Sequence, residues 1–153
     1  MLQKIMQWLL NSDPSSLETE LTRWLKKKGI SVHQISDTHW NIDVEHDKAT
    51  YSVTLKKEGG WLTYGAELMA DVEGKRLDEF YQSLLSINAA LNGAYIARQG
   101  DTLILLRNEF SKDINEDNLI RSLQIFNATH EYLYDKVIKN AGDLNLKIKK
   151  KAD

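Results

Sequence analysis

Residues Leu84–Phe110 read LLSINAALNGAYIARQGDTLILLRNEF, and the folding of this stretch decides the architecture. It begins inside the run Leu77–Leu91, whose apolar residues fall at 77, 80, 81, 84, 85, 87 and 91. At the helical period these cover one broad side, while Asp78, Glu79, Gln82, Ser83 and Ser86 cover the other. Asn92-Gly93 ends the helix, because glycine accepts the left-handed conformation that a helix C-terminus commonly needs. Two β-rich runs, AYIARQ and TLILL, then flank Gly100-Asp101, which is the pattern of a hairpin. Asn88 interrupts the apolar side of the helix. Its simplest role is a buried amide bonded to nearby backbone, since a buried polar group without a partner costs about 1–3 kcal/mol.

Upstream of this stretch the period is two. His39–His46 alternates, with Trp40, Ile42 and Val44 on one side and His39, Asn41, Asp43 and Glu45 on the other. Asp47-Lys48 reads as a turn. Tyr51, Val53 and Leu55 then alternate with Thr50, Ser52, Thr54 and Lys56, Glu58-Gly59-Gly60 turns again, and Trp61–Met69 makes a further strand. Residues 31–36 add a weak strand before them. Short turns between consecutive strands predict an antiparallel meander, with one apolar face against helices and one polar face toward water or a partner. Asp71–Lys75 reads as the loop into the organising helix.

The flanks are helical. Asp13-Pro14-Ser15-Ser16 is a helix-start signal, with Ser15 and Glu18 spaced as a capping box, and Leu17, Leu21, Trp24 and Leu25 lining one side up to Gly29. Before it, Leu2, Ile5, Met6 and Leu9 recur at helical spacing, giving a short amphipathic segment over 2–11 that would dock on the domain or on a second copy. After Phe110, Asn115 is placed as an N-cap for a helix of about 26 residues, roughly 39 Å long at 1.5 Å each. Leu119, Leu123, Phe126, His130, Leu133 and Val137 form its seam, with Gly142 as the cap. The tail LNLKIKKKAD reads equally as an edge strand or as a frayed basic end. The division is therefore an N-terminal extension over 1–14, one α+β domain over 15–142 and a basic tail over 143–153. The element order is α-β-β-β(-β)-α-β-β-α.

At 153 residues, 42% hydrophobic and 27% charged, the chain has the composition of one ordinary globular domain. A net charge of −2 supplies no basic field for nucleic acid. The absence of cysteine excludes thiol catalysis and cysteine-ligated metal sites, and it suits a reducing compartment. No apolar run reaches the roughly 20 residues of a membrane span, so the expectation is a cytoplasmic protein, with membrane-surface association through residues 2–11 as a weaker alternative. No GxSxG, GxxxxGK[ST] or GxGxxG motif occurs, and the four histidines show no HxH, HxxxH or HExxH spacing. No catalytic residue, cofactor or metal is expected, and the chain is not read as an enzyme. Among the acids, Asp43, Glu45, Asp71 and Glu73 fall on the polar sheet face or in a loop, where nothing in the sequence marks them as buried. His130, on an apolar seam, reads as a satisfied core or interface histidine. A second candidate is a small-molecule or metal site on the polar face around His39 and Asp43.

The element order, together with LLSINAALNGAYIARQGDTLILLRNEF followed by a long helix, resembles the type III secretion chaperone-like fold, and within it YbjN-like domains. The likeness covers residues 15–142. It rests on the apolar helix carrying Asn88, the Gly100-Asp101 turn between two apolar strands, and a final helix rich in leucine and aromatics. It implies a compact α+β domain that pairs into a homodimer and binds another polypeptide or acts as an accessory factor. The working surface would combine an apolar groove beside the sheet with the organising helix: Leu84, Ile87, Asn88, Ala89, Ala90 and Leu91, joined by Trp61. Ala89 and Ala90 would permit close approach of a second copy.

Overall fold

The computed structural model describes residues 18–46 and 49–149. The segment 2–11, the signal Asp13–Ser16 and the turn Asp47-Lys48 lie outside these residues. The first described helix, α1, runs Glu20–Lys27, and its cap is Thr19, whose hydroxyl accepts from the Thr22 N–H at 3.2 Å. Glu18 lies just before this cap. Four strands follow: β1 Val32–Ser36, β2 His39–His46, β3 Ala49–Glu58 and β4 Trp61–Ala70. The expected loop Asp71–Lys75 contains a short strand, β5 Val72–Glu73. Next come α2 Leu77–Ala90, β6 Ala94–Gln99, β7 Thr102–Phe110, a 3-10 turn Ser111–Asp113, α3 Glu116–Asp143 and β8 Lys147–Ile148.

The six-stranded sheet has the order β1-β2-β3-β4-β7-β6, antiparallel at every pairing. The first four strands form the expected meander. The α2 crossover then brings the hairpin back with β7 beside β4, which leaves β6 on the edge. β7 stays in the sheet to its end, with Phe110 opposite Trp61.

The helices cover one face. Trp40, Ile42, Val53, Leu55, Leu62, Tyr64, Leu103 and Leu105 point into a core closed by Leu25, Phe80, Leu119, Phe126, Leu133 and Val137. α3 starts as expected, with Asn115 Oδ1 accepting from the Asn118 N–H at 2.9 Å. Its end differs: the helix passes through Gly142, and Asn145 adopts the left-handed φ of 56° that turns the chain. The tail does form a strand. β8 pairs with β5, and Leu146 is buried in the core.

Candidate functional site

The open face of the sheet is a trough of about 1320 Å³. Across β2 and β3 it is polar, as the alternation predicts, with Asn41, Thr50, Ser52, Thr54 and Lys56 among its lining. Across β4 and β7 it is not. Ile104 and Leu106 of β7 stand on the open side beside Gly65, where an added Cβ would come within 3.3 Å of Leu106 Cδ2. At the end of the same face Trp61 and Phe110 stack at 4.4 Å between ring centroids, 44% and 52% exposed. Thr63, Asn108 and Tyr95 join them to the edge strand through hydrogen bonds of 2.8 and 3.2 Å. The uniformly polar outer face expected from sequence is therefore corrected: polarity holds on β2 and β3 and gives way to apolar lining on β4 and β7.

A second feature cuts into the trough. β3 and β4 pair only as far as Val53 opposite Ala66. Beyond that rung, β3 pairs with β2 alone and β4 with β7 alone. A register shift between Glu67 and Met69 bends β4 at the same place, the effect expected of a bulge. The next rung would have joined Ser52 to Glu67. The Glu67 carbonyl instead meets His130 Nε2 of α3 at 2.7 Å. A carbonyl only accepts, so Nε2 carries the proton. The ring stacks on Tyr51 at 3.9 Å, and the Tyr51 hydroxyl donates to Asn127 Oδ1 at 3.1 Å. His130 is a buried histidine, held through Nε2, that stands where the two strands part. Tyr134 and Ile138, further along α3, complete the floor of this notch. Burial first, and Glu131 second, push the Tyr51 phenol above its ordinary value.

Two polar clusters inside the fold fix its geometry. Asp71 is fully buried, against the expectation from sequence. It accepts from the Tyr81 hydroxyl at 2.8 Å, from the Val72 N–H at 2.8 Å and from Arg98 Nε at 2.8 Å. Lys149, whose N–H donates to the Asp71 carbonyl at 2.7 Å, ties the tail to the same point. In the second cluster Glu109 accepts from Tyr64 at 2.9 Å, from Arg107 at 3.0 Å and from Ser122. Each carboxylate is saturated by donors, so both read as structural pins and neither as a general base.

The residues singled out from sequence fall in different places. Leu84 and Ile87 face the core. Asn88 spends its amide on the backbone of Ile96. Ala89 and Ala90 are exposed, Leu91 is half-buried, and the surface of α2 is extended by Leu85, 68% exposed. Trp61 lies on the open sheet face, away from α2. His39 and Asp43 share the polar face, but Asp43 accepts from Ser52 at 3.2 Å, and no group of three His, Cys, Asp or Glu among the described residues could hold a metal ion. No described helix is long and apolar enough to cross a membrane.

The described residues form an α+β fold, an antiparallel six-stranded sheet covered on one face by three helices, that is shared with solved structures from a type III secretion system and with YbjN. Two solved structures show the likeness. One chain of the heterodimeric ExoU-SpcU complex from the type III secretion system of Pseudomonas aeruginosa superposes with a TM-score of 0.53 at 17% identity, over 74% of this chain and 93% of that one. YbjN from E. coli, a proposed transcription regulator, superposes with a TM-score of 0.55 at 16% identity, over 82% and 91%. No protein-family model and no curated protein sequence matches the chain.

Proposed function

We propose that this protein is a non-enzymatic, chaperone-like or regulatory module that binds another polypeptide across the open face of its sheet. One observation carries the reading. β7 is an interior strand with apolar side chains on both faces; helices cover the inner one, while Ile104 and Leu106 line an open trough. A strand apolar on both sides is built to be covered on both sides. Stacked Trp61 and Phe110 at the trough's end are the aromatic anchors that protein interfaces favour. The fold supports the same reading, since one structure that shares it is a heterodimeric protein complex and the other a proposed regulator. The module would act in the cytoplasm as a homodimer, pairing through α2 by way of Leu85, Ala89 and Ala90.

The test compares affinity capture from native lysate by the tagged wild-type protein and by a Leu106→Lys variant. A near-stoichiometric polypeptide recovered by the first and lost by the second is the expected result. Recovery by both would move the binding surface elsewhere, and recovery by neither would overturn the function. Light scattering that finds only monomer at tens of micromolar would overturn the dimer. Leu85→Glu should convert a dimer to monomer while changing monomer stability by no more than about 0.5 kcal/mol.

A further inference from the structure

We infer that the cavity behind the β3–β4 turn is the seat of this chain's own N-terminal segment, residues 2–11, held there by the stripe Leu2, Ile5, Met6 and Leu9. The inference stands apart from the partner-binding reading, because Trp40 and Leu62 place this cavity on the helix-covered side of the sheet. It measures about 350 Å³ and opens between α1, the β1–β2 turn, the β3–β4 turn and the 3-10 turn. Leu21, Trp24, Trp40, Leu62 and Ile114 give it an apolar lining. Its walls are tied to one another. Trp40 Nε1 donates to the hydroxyls of Thr19 and Thr22, each at 3.1 Å. The Lys57 N–H donates to the Thr38 carbonyl at 2.9 Å, and the Ser111 N–H to the Gly60 carbonyl at 2.8 Å. A preformed apolar seat of this kind takes apolar side chains with little further ordering of its own residues.

Reach, pattern and charge single out the occupant. Thr19, Glu20 and Leu21 line the cavity, so the chain that leads back to residues 2–11 sets out from its mouth. The nine-residue step from Leu9 to Glu18 spans at most about 30 Å. Within it Asn11-Ser12-Asp13-Pro14 has the composition of a turn, which lets the chain double back. A tether this short gives an effective concentration on the order of 1 mM, so an intrinsic dissociation constant of about 0.1 mM keeps the segment seated about ten to one. The pattern matches the lining: Leu2, Ile5, Met6 and Leu9 share one side at the helical period, and Lys4 and Gln7 fall on the other. Among the described residues the mouth carries Glu20 and Asp37 against Lys57. Residues 2–11 contain no acid and one base, Lys4, so the segment brings the sign that this excess favours, where an acidic segment would be repelled.

The experiment uses the whole chain, isotope-labelled. The sequence has no cysteine, so Gln7→Cys, on the side of the segment away from the stripe, gives a single attachment point for a nitroxide. The amides of Asp37, Lys57, Leu62 and Ile114 are far from residue 7 in sequence and line the seat. They should lose most of their intensity while the nitroxide is oxidised and regain it on reduction. A mixture of isotope-labelled chain without nitroxide and unlabelled chain with it should show no such loss, because the seat is filled from the same molecule. Adding Ile5→Glu and Leu9→Glu to the nitroxide-bearing chain should restore the four intensities and leave the amide spectrum of β6 and β7 as in the wild type. Loss centred on Ile104 and Leu106 or on α2, loss that appears in the mixture, weak loss spread evenly over the molecule, or loss that survives the two glutamates would each overturn the inference.

Discussion

The amide of Asn88 on α2 grips the main chain of Ile96 on β6 from both ends: Nδ2 donates to the Ile96 carbonyl at 2.9 Å, and Oδ1 accepts from the Ile96 N–H at 2.6 Å. A side chain thereby does for the edge strand what a further strand would do. Edge strands invite pairing with other chains, and proteins blunt them. At β6 the blunting is a single asparagine.

Asn88→Ala should therefore have two effects. Losing both bonds, with two backbone groups left to find water, should cost about 1–3 kcal/mol in urea unfolding. The bared β6 edge should also make the variant self-associate with time, read by light scattering. A variant with unchanged stability and unchanged mass would show that the clamp is dispensable.

Asp71→Ala should cost about 3–5 kcal/mol, because it removes the acceptor at the centre of a buried polar cluster and strands Tyr81 and the Val72 N–H. Arg98 is half-exposed and will find water, which places the cost toward the lower end. Hydrogen exchange should report the local consequence as faster exchange of the amides of β5 and β8, which meet at this point.

Stability should fall on the alkaline side. Burial, followed by the charge of Glu109, pushes the Tyr64 phenol well above its ordinary value, and burial does the same for Tyr51. Below about pH 10 both folded and unfolded chains keep these protons and stability is full. As pH rises past that value the unfolded chain ionises and the folded one does not, so stability is lost. In a 295 nm titration, at least these two of the six tyrosines should ionise only as near-ultraviolet circular dichroism collapses. Tyr64→Phe should cost about 1 kcal/mol at neutral pH and should flatten part of the alkaline decline.

Phe126→Ala should cost about 3–5 kcal/mol, as for a buried aromatic truncated to leave a cavity. Phe126 is almost fully buried, with its ring 6.0 Å from that of Tyr64, at the point where α3 crosses the sheet. A melting temperature close to wild type would show that the core collapses around the gap.

Much of the fold was legible where the code is local. Strict alternation gave β2 its observed bounds, Gly59, Gly60 and Gly100 turn with positive φ as their turns require, and Asn115 caps α3. What was hidden depends on partners distant in the chain. Asp71 looks like any loop acid until Tyr81, Arg98 and Lys149 converge on it from three other elements. Tyr51 and Asn127 are likewise ordinary residues in sequence, and His130 stands out only by its place on an apolar seam, whereas the notch lies where β3 and β4 separate around them. The apolar half of the trough did leave a trace. LILL, residues 103–106, has no polar alternate, which is the pattern of a strand covered on both faces, whereas β2 and β3 alternate and face water on one side. Weighing that contrast within one sheet would have located the trough before any coordinates.

The placement of β7 between β4 and β6 has a consequence for the order of events during synthesis. As the ribosome extrudes the first four strands, β4 is a bare margin, and its mate lies beyond the whole of α2. Even then the inner face waits for α3, which brings Leu119, Phe126, Leu133 and Val137. Closure therefore depends on pairing between distant parts of the chain, which raises contact order and slows folding. The nascent strands β1–β4 spend that interval without the helix that closes their inner face, and the core is completed only once α3 has been made.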